Sequence, residues 1–149
     1  MSRVMESVTP RPRAEPALLT PGARLVLAED DLEMRRLLAW SLRRAGYEVV
    51  EAGNGSELLE RVEDCERNAT PAQLVITDLR MPGVTGLQAI EYLRQSGRSI
   101  PVILITAFGD PTLHQRAPRF GACAVLDKPF ESEQLEALID RWSRPAHGC

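Results

Sequence analysis

The sequence predicts an α/β protein, a doubly wound parallel sheet of five strands alternating with five helices. Three observations carry this reading. Five short runs rich in apolar and β-branched residues recur along the chain, each bounded by turn signals. Segments with apolar residues at helical spacing lie between them. The two kinds of segment alternate, as they do when helices form the crossovers of a parallel sheet.

The first run, Arg24 to Ala28, ends in Glu29-Asp30-Asp31. Asp31 reads as a helix-start residue, and Met34, Leu37, Leu38, Ser41, Leu42 and Ala45 then make one buried helical face, ended by Gly46 as a C-cap. Trp40 falls roughly 100° off that stripe. Tyr47 to Glu51 is the second strand and Gly53-Asn54-Gly55 its turn, followed by a helix with Leu58, Leu59, Val62 and Cys65 on one face. The third strand is Leu74-Val-Ile-Thr-Asp78, stopped by Met81-Pro82-Gly83. Leu87, Ile90 and Leu93 mark the third helix, with Gly97 after it. Ile100 to Thr106 supplies the fourth strand, and Asp110-Pro111 starts a helix in the N-cap-then-proline manner. Ala122 to Asp127 is the fifth strand, and Leu135, Leu138, Ile139 and Trp142 give the last helix its apolar stripe.

The strand ends carry the chemistry. An aspartate closing one strand is by itself a turn or cap residue, but here four runs end in reactive or charged groups: Glu29 and Asp30, Asp78, Thr106, and Lys128. In an open α/β sheet these positions share one edge, where rigidly supported loops bind ligands. Such a set suits phosphoryl transfer to a carboxylate. Asp78 can act as nucleophile and form an acyl phosphate. A dianionic donor would be repelled by Glu29, Asp30 and Asp78 unless a hard divalent cation lay between them, and carboxylate oxygens suit magnesium. Thr106 and Lys128 would stabilise charge on the transferring group.

Composition bounds the alternatives. The chain has 149 residues, 44% hydrophobic and 26% charged, which fits one ordinary globular core. Its formal charge of -3 provides no basic footprint for nucleic acid. No apolar run reaches membrane-spanning length and no signal-peptide core stands near the start, so a cytoplasmic protein is expected. Cys65, Cys123 and Cys149 lack metal-like spacing and read as reduced thiols. Residues 1–22, with Pro10, Pro12, Pro16 and Pro21 among charged residues, read as a disordered tail. Residues 23–143 form the domain and 144–149 a short C-terminal tail, so a stand-alone domain is expected. No Gly-x-x-x-x-Gly-Lys phosphate loop occurs. A flavodoxin-type cofactor carrier would offer hydroxyls and amides, not acids, in its first loop. A haloacid-dehalogenase-like phosphatase needs a second acid two residues after the nucleophile, where this chain has Arg80.

Four motifs, Ala28-Glu29-Asp30-Asp31 before Met34-Arg35-Arg36, Asp78-Leu-Arg-Met81-Pro82-Gly83 with Gly86, Thr106-Ala107, and Asp127-Lys128-Pro129-Phe130, together resemble the bacterial response-regulator receiver domain over roughly residues 23 to 143. The resemblance implies a flavodoxin-like (βα)5 fold with strand order 2-1-3-4-5. It implies that Glu29, Asp30, Asp78 and the backbone carbonyl of Arg80 hold Mg2+, and that Asp78 is the phosphoacceptor. Thr106 is then the switch hydroxyl and Lys128 the phosphoryl contact. A histidine kinase or phosphotransfer protein would donate the phosphoryl group, and an unidentified output protein would receive the signal. The product is a self-phosphorylating and self-dephosphorylating switch with no separate substrate. The other reading of the same fold is a non-catalytic adaptor acting by docking alone. Arg80 and Phe108, two places beyond the acceptor and the threonine, flank the hydrolytic path in such domains, and Phe108 would slow loss of phosphate. Two departures stand out. The position three before the lysine, often an aromatic switch, is Val125, and Pro118 is expected to shorten or kink the fourth helix. Trp40 lies on the helix that in this family docks the kinase, and also suits simple packing.

Overall fold

A computed structural model of the chain describes residues 22–107 and 111–142, the side chains of Thr112 and Phe120 excepted. In chain order the elements are β1 (Arg24–Ala28), α1 (Leu32–Arg44), β2 (Glu48–Ala52), α2 (Gly55–Arg67), β3 (Leu74–Asp78), α3 (Gly86–Gln95), β4 (Val102–Thr106), α4 (Pro111–Phe120), β5 (Ala124–Asp127) and α5 (Ser132–Trp142). The strands form one parallel sheet in the order β2-β1-β3-β4-β5. The order reverses direction at β1, so the ends of β1 and β3 open a crevice between crossovers that pass to opposite faces.

Strand alternation builds two cores. Leu25, Leu27, Leu74, Ile76, Ile103 and Ile105 face α1 and α5, packing on Leu38, Ala39, Leu42, Leu135 and Ile139. Their neighbours Val26, Ala28, Val75, Val102 and Leu104 face the other way, against Leu58, Val62, Ala89, Ile90, Leu93, Leu113 and Ala117. With both faces covered, the inner strands must be apolar throughout, and β3 and β4 are buried along their whole length.

The helix starts are capped by side chains. Asp31 accepts from the Met34 amide, Asn54 accepts from the Glu57 amide, and Thr85 and Gln88 form a reciprocal capping box. Gly46, with φ of 104°, lets the chain leave α1 in the left-handed conformation expected of a C-cap glycine.

Several expectations are corrected. Leu37 is 63% exposed and Ala45 is exposed, so the buried face of α1 is Leu38, Ala39 and Leu42 with Met34 alongside. Residues 34, 38 and 42 lie one above another on a helix, and small Ala39 lets that line approach the sheet, which turns Leu37 outward. The second strand begins at Glu48, because the Tyr47 amide is still bonded to the Leu42 carbonyl in the turn leaving α1. Pro118, which is exposed, lies inside α4, and the helix ends soon after it at Phe120, in keeping with a proline near a helix end. Cys65 is a buried free thiol, and Cys149 lies outside the described residues. The expected tails, Phe108 and Asp110 lie outside the described residues.

Candidate functional site

Asp78 is the last residue of β3, and its side chain is 11% exposed. The next amide, that of Leu79, donates to the Ile105 carbonyl, which extends the β3–β4 ladder one step past the acid. The loop then turns back, and the Gly86 amide donates to the Leu79 carbonyl at the start of α3. Asp78 is thus held between a sheet and a helix start.

Glu29 follows β1 and is nearly inaccessible at 2% exposure. Its amide donates to the Ala52 carbonyl, its Oε2 accepts from the Asp31 amide at 3.1 Å, and its Oε1 accepts from Lys128 Nζ at 3.3 Å. Asp30 is exposed at the rim. One carboxylate oxygen from each of Glu29, Asp30 and Asp78 lies within 4.8 Å of the others. Lys128 comes from the far side of the sheet, where its amide is anchored on the Thr106 carbonyl, and its Nζ stands 3.5 Å from Asp78 Oδ1. Thr106 ends β4 opposite Asp127 and is buried.

The electrostatics follow from this packing. Burial pushes the Asp78 carboxyl above its ordinary range, Lys128 lowers it in part, and Asp30 raises it again. Burial likewise raises Glu29; the Asp31 amide opposes it, Asp78 adds to it, and Lys128 offsets it. Burial would lower Lys128, but the charges of Asp78 and Glu29 outweigh it and hold the ammonium above its usual value. The pocket therefore carries more acid than its lysine can balance. Three carboxylate oxygen donors with one cationic neighbour form a set that suits a hard, oxygen-seeking divalent ion.

The structure brings together Glu29, Asp30, Asp78 and Lys128, and sets Thr106 on the adjacent strand end. Arg80 lies two residues beyond Asp78 with its side chain exposed. Val125 is half-buried on β5 and packs on the core shared with α4. Two partnerships escape sequence reasoning. Arg35, which the sequence shows only as a charged residue of α1, donates to the Glu29 carbonyl at 3.1 Å and to Glu51 Oε1 at 3.1 Å. His114 Nε2 lies 3.0 Å from both carboxylate oxygens of Asp127. Neither carries a local sequence signal, since each depends on which strands become neighbours.

The family profile of the response regulator receiver domain matches residues 25–140. Among curated proteins, the chain is 39% identical over 118 residues to the transcriptional regulatory protein PdtaR of Mycobacterium tuberculosis, covering 78% of this chain and 55% of that one. It is 31% identical over 118 residues to the response regulator receiver protein CpdR of Brucella abortus, covering 79% and 94% of the two. The chain spans about half the length of several curated relatives it matches, PdtaR among them. The structure of the Vibrio cholerae chemotaxis protein CheY4 superposes with a TM-score of 0.73 at 27% identity, over 81% of this chain and 98% of that one. No helix among the described residues is long and apolar enough to cross a membrane. With its sheet order, acidic crevice and family match in agreement, the chain belongs to the response regulator receiver domain family of two-component signalling.

Proposed function

We propose that the chain is a phosphoacceptor switch that takes a phosphoryl group onto Asp78 from a histidine kinase or phosphotransfer protein and signals through a protein partner. The observation that carries this reading is the meeting of Asp78 with Glu29, Asp30 and Lys128 at one sheet edge. An oxygen of Asp78 attacks the donor's phosphorus and the phosphorus–nitrogen bond breaks. The departing imidazole nitrogen keeps the electron pair, and an acyl phosphate remains on Asp78. Lys128, already beside Asp78, neutralises the transferred group, and the Thr106 hydroxyl donates to one of its oxygens. Glu29, Asp30, Asp78 and the Arg80 carbonyl would hold Mg2+, which when bound would supply the positive charge that lets an anionic donor approach three acids. Attack by water on the phosphorus returns the free carboxylate and inorganic phosphate, so the switch resets itself without a separate substrate. Arg80 and Phe108 set how fast that happens. We place this switch in the cytoplasm, where donors charged from ATP operate.

Incubating the purified chain with candidate histidine kinases and labelled ATP tests the reading. Wild type takes label into an acid-stable, base-labile acyl bond; Asp78→Asn, nearly isosteric but not an anionic nucleophile, keeps its fold by circular dichroism and takes none. Label at the wild-type rate in Asp78→Asn would show that the acceptor is another residue.

A further inference from the structure

The Glu29–Asp30 peptide has no strand partner to orient it, because β1 stops at Ala28. Its upstream amide is fixed by Ala52, and among the described residues its carbonyl is held from α1, by Arg35 Nη1 at 3.1 Å. The same guanidinium reaches Glu51 on β2 through Nε at 3.1 Å, and the Arg35 side chain is just 19% exposed. Arg43 also contacts Glu51, so the carboxylate that anchors Arg35 is itself held in place. The space is tailored to the guanidinium: a Cβ at Gly53 would lie 3.0 Å from Arg35 Nη1.

From this geometry we infer that Arg35 is a positioning residue for the metal ligands. It sets the plane of the Glu29–Asp30 peptide and through it the direction in which both carboxylates enter the crevice. The inference rests on the magnesium-dependent reading above and deepens it. Charge alone would give the opposite effect. A cation beside the acid pair repels a second cation, so a purely electrostatic Arg35 weakens magnesium binding and its removal tightens it. A positioning Arg35 strengthens binding, and its removal loosens it. The sign of the change separates the two roles.

The test is a Mg2+ titration of the unphosphorylated full chain, followed by amide chemical shifts of the β1–α1 loop, with thermal unfolding measured in parallel. Arg35→Met, which keeps the aliphatic stem, is expected to weaken Mg2+ binding about tenfold, the low end for partners of metal ligands because Mg2+ keeps part of its water shell. Arg35→Lys, with one ammonium unable to bridge both acceptors, falls between the two. Gly53→Ala, which changes no charge but puts a Cβ 3.0 Å from Arg35 Nη1 and so displaces the guanidinium, weakens binding about threefold, and it carries the test if Arg35→Met does not fold. Tighter or unchanged Mg2+ affinity in Arg35→Met and Gly53→Ala, with or without a lower melting temperature, overturns the positioning role. If wild type itself fails to bind Mg2+, the phosphoacceptor reading falls along with it.

Discussion

A Cβ on Gly86 would stand 2.4 Å from the Asp78 carbonyl oxygen and 3.2 Å from the Leu79 Cα, so the start of α3 presses directly on the backbone that carries Asp78, the proposed acceptor. Both neighbours are main chain and cannot swing aside. Gly86→Ala must therefore push the end of β3, at a cost of about 1–3 kcal/mol typical of overpacking. Because the displaced atoms belong to Asp78, phosphoryl uptake should slow as well. Gly97, with φ of 85° and nothing within 4 Å of where a Cβ would stand, is the control. Gly97→Ala should cost about 1–2 kcal/mol for its left-handed backbone and leave uptake unchanged. Urea unfolding and phosphorylation rates of the two variants check this; equal uptake in both would mean that Gly86 does not position the acceptor. The acids and the lysine themselves are legible in the sequence because each ends an apolar run, and the end of a run fixes a side chain on the sheet edge. Arg35 and Glu51 are not, because their meeting depends on β1 pairing with β2 in a register that no local pattern encodes.

If Asp78 takes a phosphoryl group as proposed, the element that answers it would differ from the aromatic switch expected from the family resemblance. Val125 offers no ring to turn inward, and its branched side chain is restricted at χ1. In its place, α4 is tied to the site by a polar link: His114 Nε2 donates to the carboxylate of Asp127, the residue before Lys128. Movement of Lys128 towards a phosphoryl group would pull on that link, and we propose α4 as the element that shifts. Amide exchange with and without beryllofluoride should change most over residues 111–120, and His114→Ala should raise exchange there in the free protein. Changes confined to β5 around Val125, with α4 unaffected, would exclude this route. Helix α1 shows why such elements are only partly readable. Residues 34, 38 and 42 and residues 34, 37 and 41 both have helical spacing, and only packing of Ala39 against the sheet decides between them. The faces of α2, α3 and α5 are clearer, since their central apolar residues admit one stripe.

At the scale of the whole molecule, the sheet edge concentrates more carboxylate than it can neutralise, so stability, pH and metal are linked. Glu29 and Asp78 are both raised above their ordinary values, each first by burial. A carboxyl raised in the folded state contributes stability that is fully present below its unfolded pKa, about 4, and is lost as pH rises through the folded pKa. Lys128, also raised, keeps its contribution across that range and loses it only in alkali. The metal-free fold therefore loses stability at this edge on going from acid to neutral pH. Mg2+ bound to ionised carboxylates should reverse that loss at neutral pH, by about 2.7 kcal/mol at a concentration a hundred times its Kd. In a domain of this size that is a rise in Tm of roughly 5–10 °C. Towards the acid end, as protons return to the raised carboxyls of Glu29 and Asp78, the metal loses anionic ligands and the rise should shrink. Asp78→Asn, with one buried charge fewer, should melt higher than wild type without metal at pH 7.5 and gain less from Mg2+. Thermal scans across pH 4 to 8, with and without Mg2+, decide the matter: an equal Mg2+ shift at both ends of the range would mean that the ion binds elsewhere on the surface and that the buried acids are not its ligands.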